Sequence, residues 1–254
     1  MTWGEVNLLV DAIDWLSENK EWVFSGIGVL IISLLLTLGR GFLRKLWFSL
    51  RNLWLQITSS KHKFEFLMVP LDQIANSDIL ENYHNPPVGQ EIWLGGIPFF
   101  LKTKRAIFDS AAIRSGKNSV TLDLDEPVSR VYSVYLLVNA GGAHKEHEGK
   151  TLGRVQIIFD DGAFQETKLI LGQNIREWAI GNPFDLVNNV VEPSSLPVWE
   201  GSNATGNKAV IDRLEIPVFQ QNRQKRLKQI LTFVDSGSAS LAFLIFAITL
   251  EYVS

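Results

Sequence analysis

The sequence predicts a mainly β fold: a β-sandwich preceded by an N-terminal transmembrane helix and a basic amphipathic helix. Three observations carry that expectation. Residues 22–39 hold no charge, and residues 42–57 set apolar and basic side chains at helical spacing. From Phe64 onward the chain turns to short runs of β-branched and aromatic residues divided by Gly-, Pro- and Asn-containing breaks. The expected division is an acidic amphipathic segment (1–21), a transmembrane helix (22–43), a basic juxtamembrane helix and linker (44–62) and a sandwich domain (63–254).

Residues 3–16 begin with an amphipathic pattern of Val6, Leu9, Val10, Ile13 and Leu16. Their acidic face suits a packed or outer-surface helix better than anionic lipid. The following WVFSGIGVLIISLLLTLG, 18 residues, spans about 27 Å as a helix, near the ~30 Å hydrocarbon core. A cleaved signal peptide fits worse, because the preceding stretch is acidic and the segment ends in Gly39-Arg40-Gly41-Phe42. Between Trp22 and Phe64 there is no acidic residue, and Arg40, Arg44, Lys45, Arg51, Lys61 and Lys63 all follow the span. That bias predicts an inner-membrane, single-pass protein of bacterial type, N-terminus outside and large domain cytoplasmic. Gly26, Ser33 and Thr37 fall on one face of the span, where small residues favour helix–helix packing and a homo-oligomer.

FLRKLWFSLRNLWLQI (42–57) follows. Its stripe of Leu43, Leu46, Trp47, Leu50, Leu53, Trp54 and Ile57, with Arg40, Arg44, Lys45 and Arg51 nearby, suits the lipid headgroup region. The lipid bilayer is therefore the first expected partner.

The remaining ~190 residues read as strands at 64–70, 97–102, 118–124, 129–139, 153–160, 163–171, 174–180, 196–200, 208–218, 226–235 and 240–252. The last contains ASLAFLIFAITL, 12 uncharged residues, too short to cross a membrane as a helix but natural for a central strand covered on both faces. Asp161-Gly162 between two apolar runs predicts a two-residue hairpin turn. That register sets Phe159 opposite Phe164, sets Val155 and Ile157 toward Lys168 and Glu166, and turns Ile158 and Leu169 the other way.

Several phrases occur here in a familiar order. FLMVPLDQIANS (66–77), LGGIPFFL (94–101), SVTLDL (119–124), VYSVYLLVNAGGA (131–143), GRVQIIFDDGAFQETKLILGQNIREW (153–178), LPVWEG (196–201) and LAFLIFAITLE (241–251) resemble, in sequence, the strands of galactose-binding-domain-like modules. These are jelly-roll sandwiches often appended to bacterial glycoside hydrolases. The resemblance implies a jelly-roll-type sandwich of carbohydrate-binding-module type. The loop DILENYHNPPVGQEIW (78–93) departs from that pattern in having few glycines and no carboxylate cage.

Composition narrows the chemistry. With 46% apolar and 20% charged residues the chain can bury a core. A net charge of −3 gives no general attraction to nucleic acid, which speaks against that partner. The lack of cysteine excludes disulfides and a thiolate nucleophile. No phosphate-binding loop, nucleophile elbow or dinucleotide fingerprint occurs, and no cofactor or metal is implied.

The remaining candidates each have a plain reading. HKEHEGK (144–150) offers His144 and His147 as ligand groups, against a solvated turn. Asp123 and Asp125 share a strand face, without the apolar setting a glycosidase acid needs. The basic run 221–229 reads as a solvated hairpin tip. Trp178 and Trp199 read as core, and Trp93 as the better stacking group. The expected function is a non-enzymatic, membrane-anchored module binding a carbohydrate-like ligand or a protein partner. The alternative is a membrane effector or signalling subunit, whose cytoplasmic sandwich senses a ligand while its span oligomerises to perturb the membrane.

Overall fold

The computed structural model describes residues 63–108, 119–180, 185–235 and 241–254. The transmembrane and juxtamembrane expectations, with Gly26, Ser33, Thr37, Arg40, Arg44, Lys45, Trp47, Arg51 and Trp54, lie outside the described residues. Within them, no helix is long and apolar enough to cross a membrane.

The described chain is mainly β. Its strands are β1 (Phe64–Val69), β2 (Ser77–Asp78), β3 (Tyr83–His84), β4 (Gln90–Leu94), β5 (Ile97–Leu101), β6 (Lys104–Phe108), β7 (Ser119–Val128), β8 (Val131–Gly141), β9 (Thr151–Phe159), β10 (Phe164–Ile170), β11 (Ala179–Ile180), β12 (Ser195–Asn203), β13 (Lys208–Pro217), β14 (Leu227–Val234) and β15 (Ala242–Val253). Among the described residues they form a nine-stranded sheet ordered β2-β6-β15-β8-β13-β12-β3, with β1 also on β15 and β11 also on β13. A four-stranded sheet runs β10-β9-β14-β7, and β4-β5 stands as a separate hairpin.

The two larger sheets share one core. Val155, Ile157 and Ile230 of the small sheet pack with Val134, Leu136 and Ile245 of the large one. A second apolar layer lies on the opposite face of the large sheet, where Tyr135, Leu137, Ile211 and Leu244 meet Ile97, Phe99 and Leu101 of the hairpin. β15 and β8 are therefore covered on both faces, which explains why β15 reads as an unbroken apolar run. Along β15, Phe243, Ile245, Ile248 and Leu250 join the first core, while Leu244, Phe246 and Ala247 join the second.

The 159–164 hairpin corrects the sequence reading. Its loop has three residues, Asp160 to Gly162: the Phe159 amide donates to the Ala163 carbonyl at 2.9 Å and the Gly162 amide to the Phe159 carbonyl at 3.1 Å. Within the loop φ is positive only at Gly162 (+83°), as in a type I turn followed by a left-handed residue. The extra residue shifts the register by one. Phe164 stands opposite Ile158, not Phe159, and Gln165 and Thr167 stand opposite Ile157 and Val155. Because side chains alternate, that slip moves whole sets between faces. Phe159 is buried, Phe164 is 60% exposed, and Leu169 points into the core instead of joining Ile158 outside. Gln165 is buried because it has partners: its amide donates to Pro217 O at 2.7 Å and its oxygen accepts from Phe219 N at 2.8 Å.

The expected strand at 174–180 shrinks to β11. Before it, Asn174 holds a turn, its oxygen accepting from Ile170 N at 2.8 Å and its amide donating to Lys168 O at 2.9 Å. Arg176 then makes a two-pronged ion pair with Asp212, both contacts at 2.7 Å, and donates to Asn188 O at 2.8 Å. Asn139 donates to the same carboxylate at 3.1 Å. A buried pair of this kind survives only where the remaining polar groups are satisfied. The Asn-Ile-Arg-Glu-Trp phrase is thus a clamp between the end of β8 and β13.

Candidate functional site

The β4-β5 hairpin presents Trp93, the largest of the exposed aromatic side chains among the described residues, together with Phe100. Its turn is Gly95-Gly96, with φ of +58° and +81°, the positive pair that a two-residue hairpin loop requires. Ile92 and Phe99 pair on the inner face, and Trp93 pairs with Pro98 on the outer face. Phe100, two residues from Pro98, shares that outer face by strand alternation. The hairpin is pinned at two points. Arg213 Nη1 donates to the Gly95 carbonyl, and Thr249 Oγ1 donates to the Pro98 carbonyl at 2.7 Å. The inner side chains Phe99 and Leu101 are fully buried, so the hairpin cannot rock without opening the second core.

On this base Trp93 is 61% exposed and Phe100 42% exposed. The Trp93 ring meets Phe66 edge to face, centroids 6.0 Å apart at 84°. That contact fixes the ring's tilt and leaves most of its surface open. Beside Phe100 lies a concavity of about 340 Å³ lined by Met68, Asp72, Phe100, Lys102, Lys104 and Phe246, among others. Lys102 reaches Asp72 at 2.5 Å and lies 5.8 Å from the Phe100 ring centre. The result is a fixed aromatic shelf next to a shallow, mainly apolar hollow edged by Asp72, Lys102 and Lys104, an arrangement that can stack a flat apolar face and hydrogen-bond its rim.

His144 and His147 do not belong to this shelf. Pro98 is held against Thr249, which stands opposite Tyr135 in β8, whereas His144 follows the far end of β8 at Gly141. Six strand residues separate the two places, roughly 20 Å. The histidine rings are 6.3 Å apart. His144 is exposed, and His147 is largely buried with Nε2 3.7 Å from Glu146. Among the described residues, no three His, Asp or Glu side chains converge at metal-binding spacing.

The other sequence candidates resolve into structure. Trp178 and Trp199 pack on Tyr83 at centroid distances of 5.0 and 5.8 Å. In the basic run, Arg223 stacks on Tyr132 at 4.6 Å, Lys225 pairs with Asp161 at 2.8 Å and Arg226 with Asp160 at 2.8 Å. The run braces the 160–162 loop instead of forming an open cationic surface. Asp123 accepts from Gln229 and, with Asp125, lines a separate groove.

Buried polar groups lie elsewhere in the large sheet. Glu177 is 3% exposed, and burial pushes its carboxyl up to about 7, against the backbone amides of Ala143, Ala179 and Gly142 that pull it down. Burial likewise lowers Arg105 and raises the Tyr83 hydroxyl well above its usual range. Arg105 donates to Asn82 Oδ1 at 2.6 Å and lies against the Tyr83 and Phe246 rings. Tyr83 and Phe246, with Arg105 against them, belong to the second core, whereas Glu177 accepts from Ala143 N at 2.7 Å at the Gly141 end of β8, away from the shelf.

The sequence singles out Trp93 but not its partners, because its pattern places 78–93 in a loop, whereas Gln90–Leu94 forms β4. The signal was present: QEIWL and IPFFL flank Gly95-Gly96, an alternating pair around a strong turn. Comparison with family models, curated proteins and solved structures returns no match, so the site is read from its own geometry.

Proposed function

We propose that the chain is a non-enzymatic, membrane-anchored binding module, and that its sandwich recognises a carbohydrate-like ligand on the Trp93–Phe100 shelf. The observation that carries this reading is a tryptophan left 61% exposed on a hairpin whose every other feature immobilises it. A large aromatic in water gains nothing for folding, while a rigid ring loses little entropy when a ligand stacks on it. The sequence resemblance to galactose-binding-like jelly rolls supports the ligand class. The uncharged stretch 22–39 and the basic flank after it support an inner-membrane anchor with the domain on the cytoplasmic side.

The test is a glycan array, including sugar phosphates because Lys102 and Lys104 adjoin the shelf, probed with the 61–254 unit. The expected result is selective retention of one saccharide class, reduced at least tenfold by Trp93→Ala and several-fold by Phe100→Ala. Retention unchanged in Trp93→Ala would place the ligand elsewhere, and hydrolysis of any glycan would overturn the non-enzymatic reading.

A further inference from the structure

A second groove opens on the other side of β1, between the two sheets. Along β1, Phe66 and Met68 face the hairpin, whereas Leu67 and Val69 face the groove. The opposite wall is β7. The volume is about 460 Å³, within the range of specific binding sites. Both walls are sheet edges: among the described residues β1 pairs only with β15, and β7 only with β14. Each edge leaves a row of backbone donors and acceptors outside its ladder.

The β7 wall is irregular in a specific way. Leu227 of β14 stands opposite Val128, and Gln229 stands opposite Asp123. One residue of β14 therefore faces four of β7, Leu124 to Pro127, which arch away from their own sheet. Such bulges re-aim side chains and end pairing. Here the arch carries Asp125 and Glu126 to the groove, where they join Asp72 and Asp123. Among the described residues no Lys, Arg or His lines it, and its floor is apolar: Leu67, Val69, Leu124 and Val128.

We infer that this groove takes an extended peptide segment of alternating apolar and basic residues, which adds as a strand along the regular β1 edge and faces the acidic β7 arch. The geometry matches strand addition, in which backbone hydrogen bonds give affinity and alternate side chains give specificity. Apolar side chains of the guest would face Leu67 and Val128, and its Lys or Arg side chains would meet Asp123, Asp125 and Glu126, Asp72 being held by Lys102. A basic guest also suits a groove whose negative charge repels a second copy of the same acidic wall. This inference does not rest on the saccharide shelf: Trp93 and Phe100 take no part in the groove, although Val69, Pro70 and Asp72 line both cavities.

The test uses the full chain in neutral detergent and a fluorescein-labelled octapeptide of alternating valine and lysine, read by anisotropy. The expected result is saturable binding at low salt that weakens at least tenfold in 0.5 M NaCl. Binding should also fall at least tenfold in Asp125→Lys/Glu126→Lys and less in Asp125→Asn/Glu126→Gln. Both positions are exposed, and unchanged circular dichroism confirms folding. A peptide of the same composition in blocks, and one N-methylated at every second amide, should each bind at least fivefold more weakly. Failure of the alternating peptide to bind, or equal binding of the block peptide or by the charge-reversed variant, would overturn strand addition. Full displacement by 5 mM calcium would overturn it in favour of a cation site.

Discussion

Trp93 shows how one side chain can be rigid and exposed together. Its indole touches Phe66 at its edge, and its strand neighbours Ile92 and Leu94 point into the second core. Removing it leaves no cavity, so Trp93→Ala should alter unfolding free energy by no more than about 0.5 kcal/mol. Urea denaturation checks this, and a larger loss would mean that the residue is structural. Glu177 is the opposite case, a carboxyl held inside. Its folded pKa of about 7 lies above the ordinary 4.5, so the unfolded chain gives up this proton first as pH rises. Its contribution is fully present below pH 4.5, falls between 4.5 and 7, and is flat above that. The span corresponds to roughly 3 kcal/mol. Glu177→Gln should remove this slope from the unfolding free energy measured between pH 4.5 and 8. An unchanged slope would show that the carboxyl titrates normally.

At the scale of elements, two hairpins make the same point with different turns. Gly95-Gly96 allows a two-residue loop, and the strands on either side stay in the register the alternating pattern demands. Asp160-Asp161-Gly162 looks equally tight in sequence, yet its side chains favour a longer loop. Asp161 Oδ1 accepts from Ala163 N at 2.9 Å, and Lys225 reaches over to the same carboxylate. The loop needs its left-handed residue, and nothing crowds the position: a Cβ at Gly162 would meet no atom within 4 Å. Gly162→Ala should therefore cost about 1 kcal/mol, from backbone strain alone. A thermal scan checks this, and a neutral result would mean that the loop relaxes to the two-residue form. Strand positions were legible in the sequence because runs and breaks are local. Register was not, because one loop residue decides it and the deciding contacts come from Lys225 and Arg226, more than sixty residues away.

At the scale of the molecule, the mainly β class and the strand at 240–252 were readable from residues alone. The layering was harder. A separate hairpin on the outer face of the large sheet depends on Arg213 and Thr249, which look like ordinary strand residues until Gly95 and Pro98 lie above them. The same is true of the groove, since β1 and β7 are neighbours only through the two sheets. His144 and His147 were attractive in one dimension and are set apart from the shelf in three. The predicted orientation belongs to this scale too: a reporter fused after Ser254 should be active only as a cytoplasmic reporter. Activity on the outer side would reverse the topology and direct the search to extracellular sugars.

The most direct test of the central claim is the tryptophan emission of wild type and Trp93→Phe, recorded while saccharides retained on the array are added. An open indole that becomes covered should shift to shorter wavelength and saturate, and the shift should vanish in Trp93→Phe. If the same spectral change persists without Trp93, or no saccharide produces one, the shelf is not the binding site.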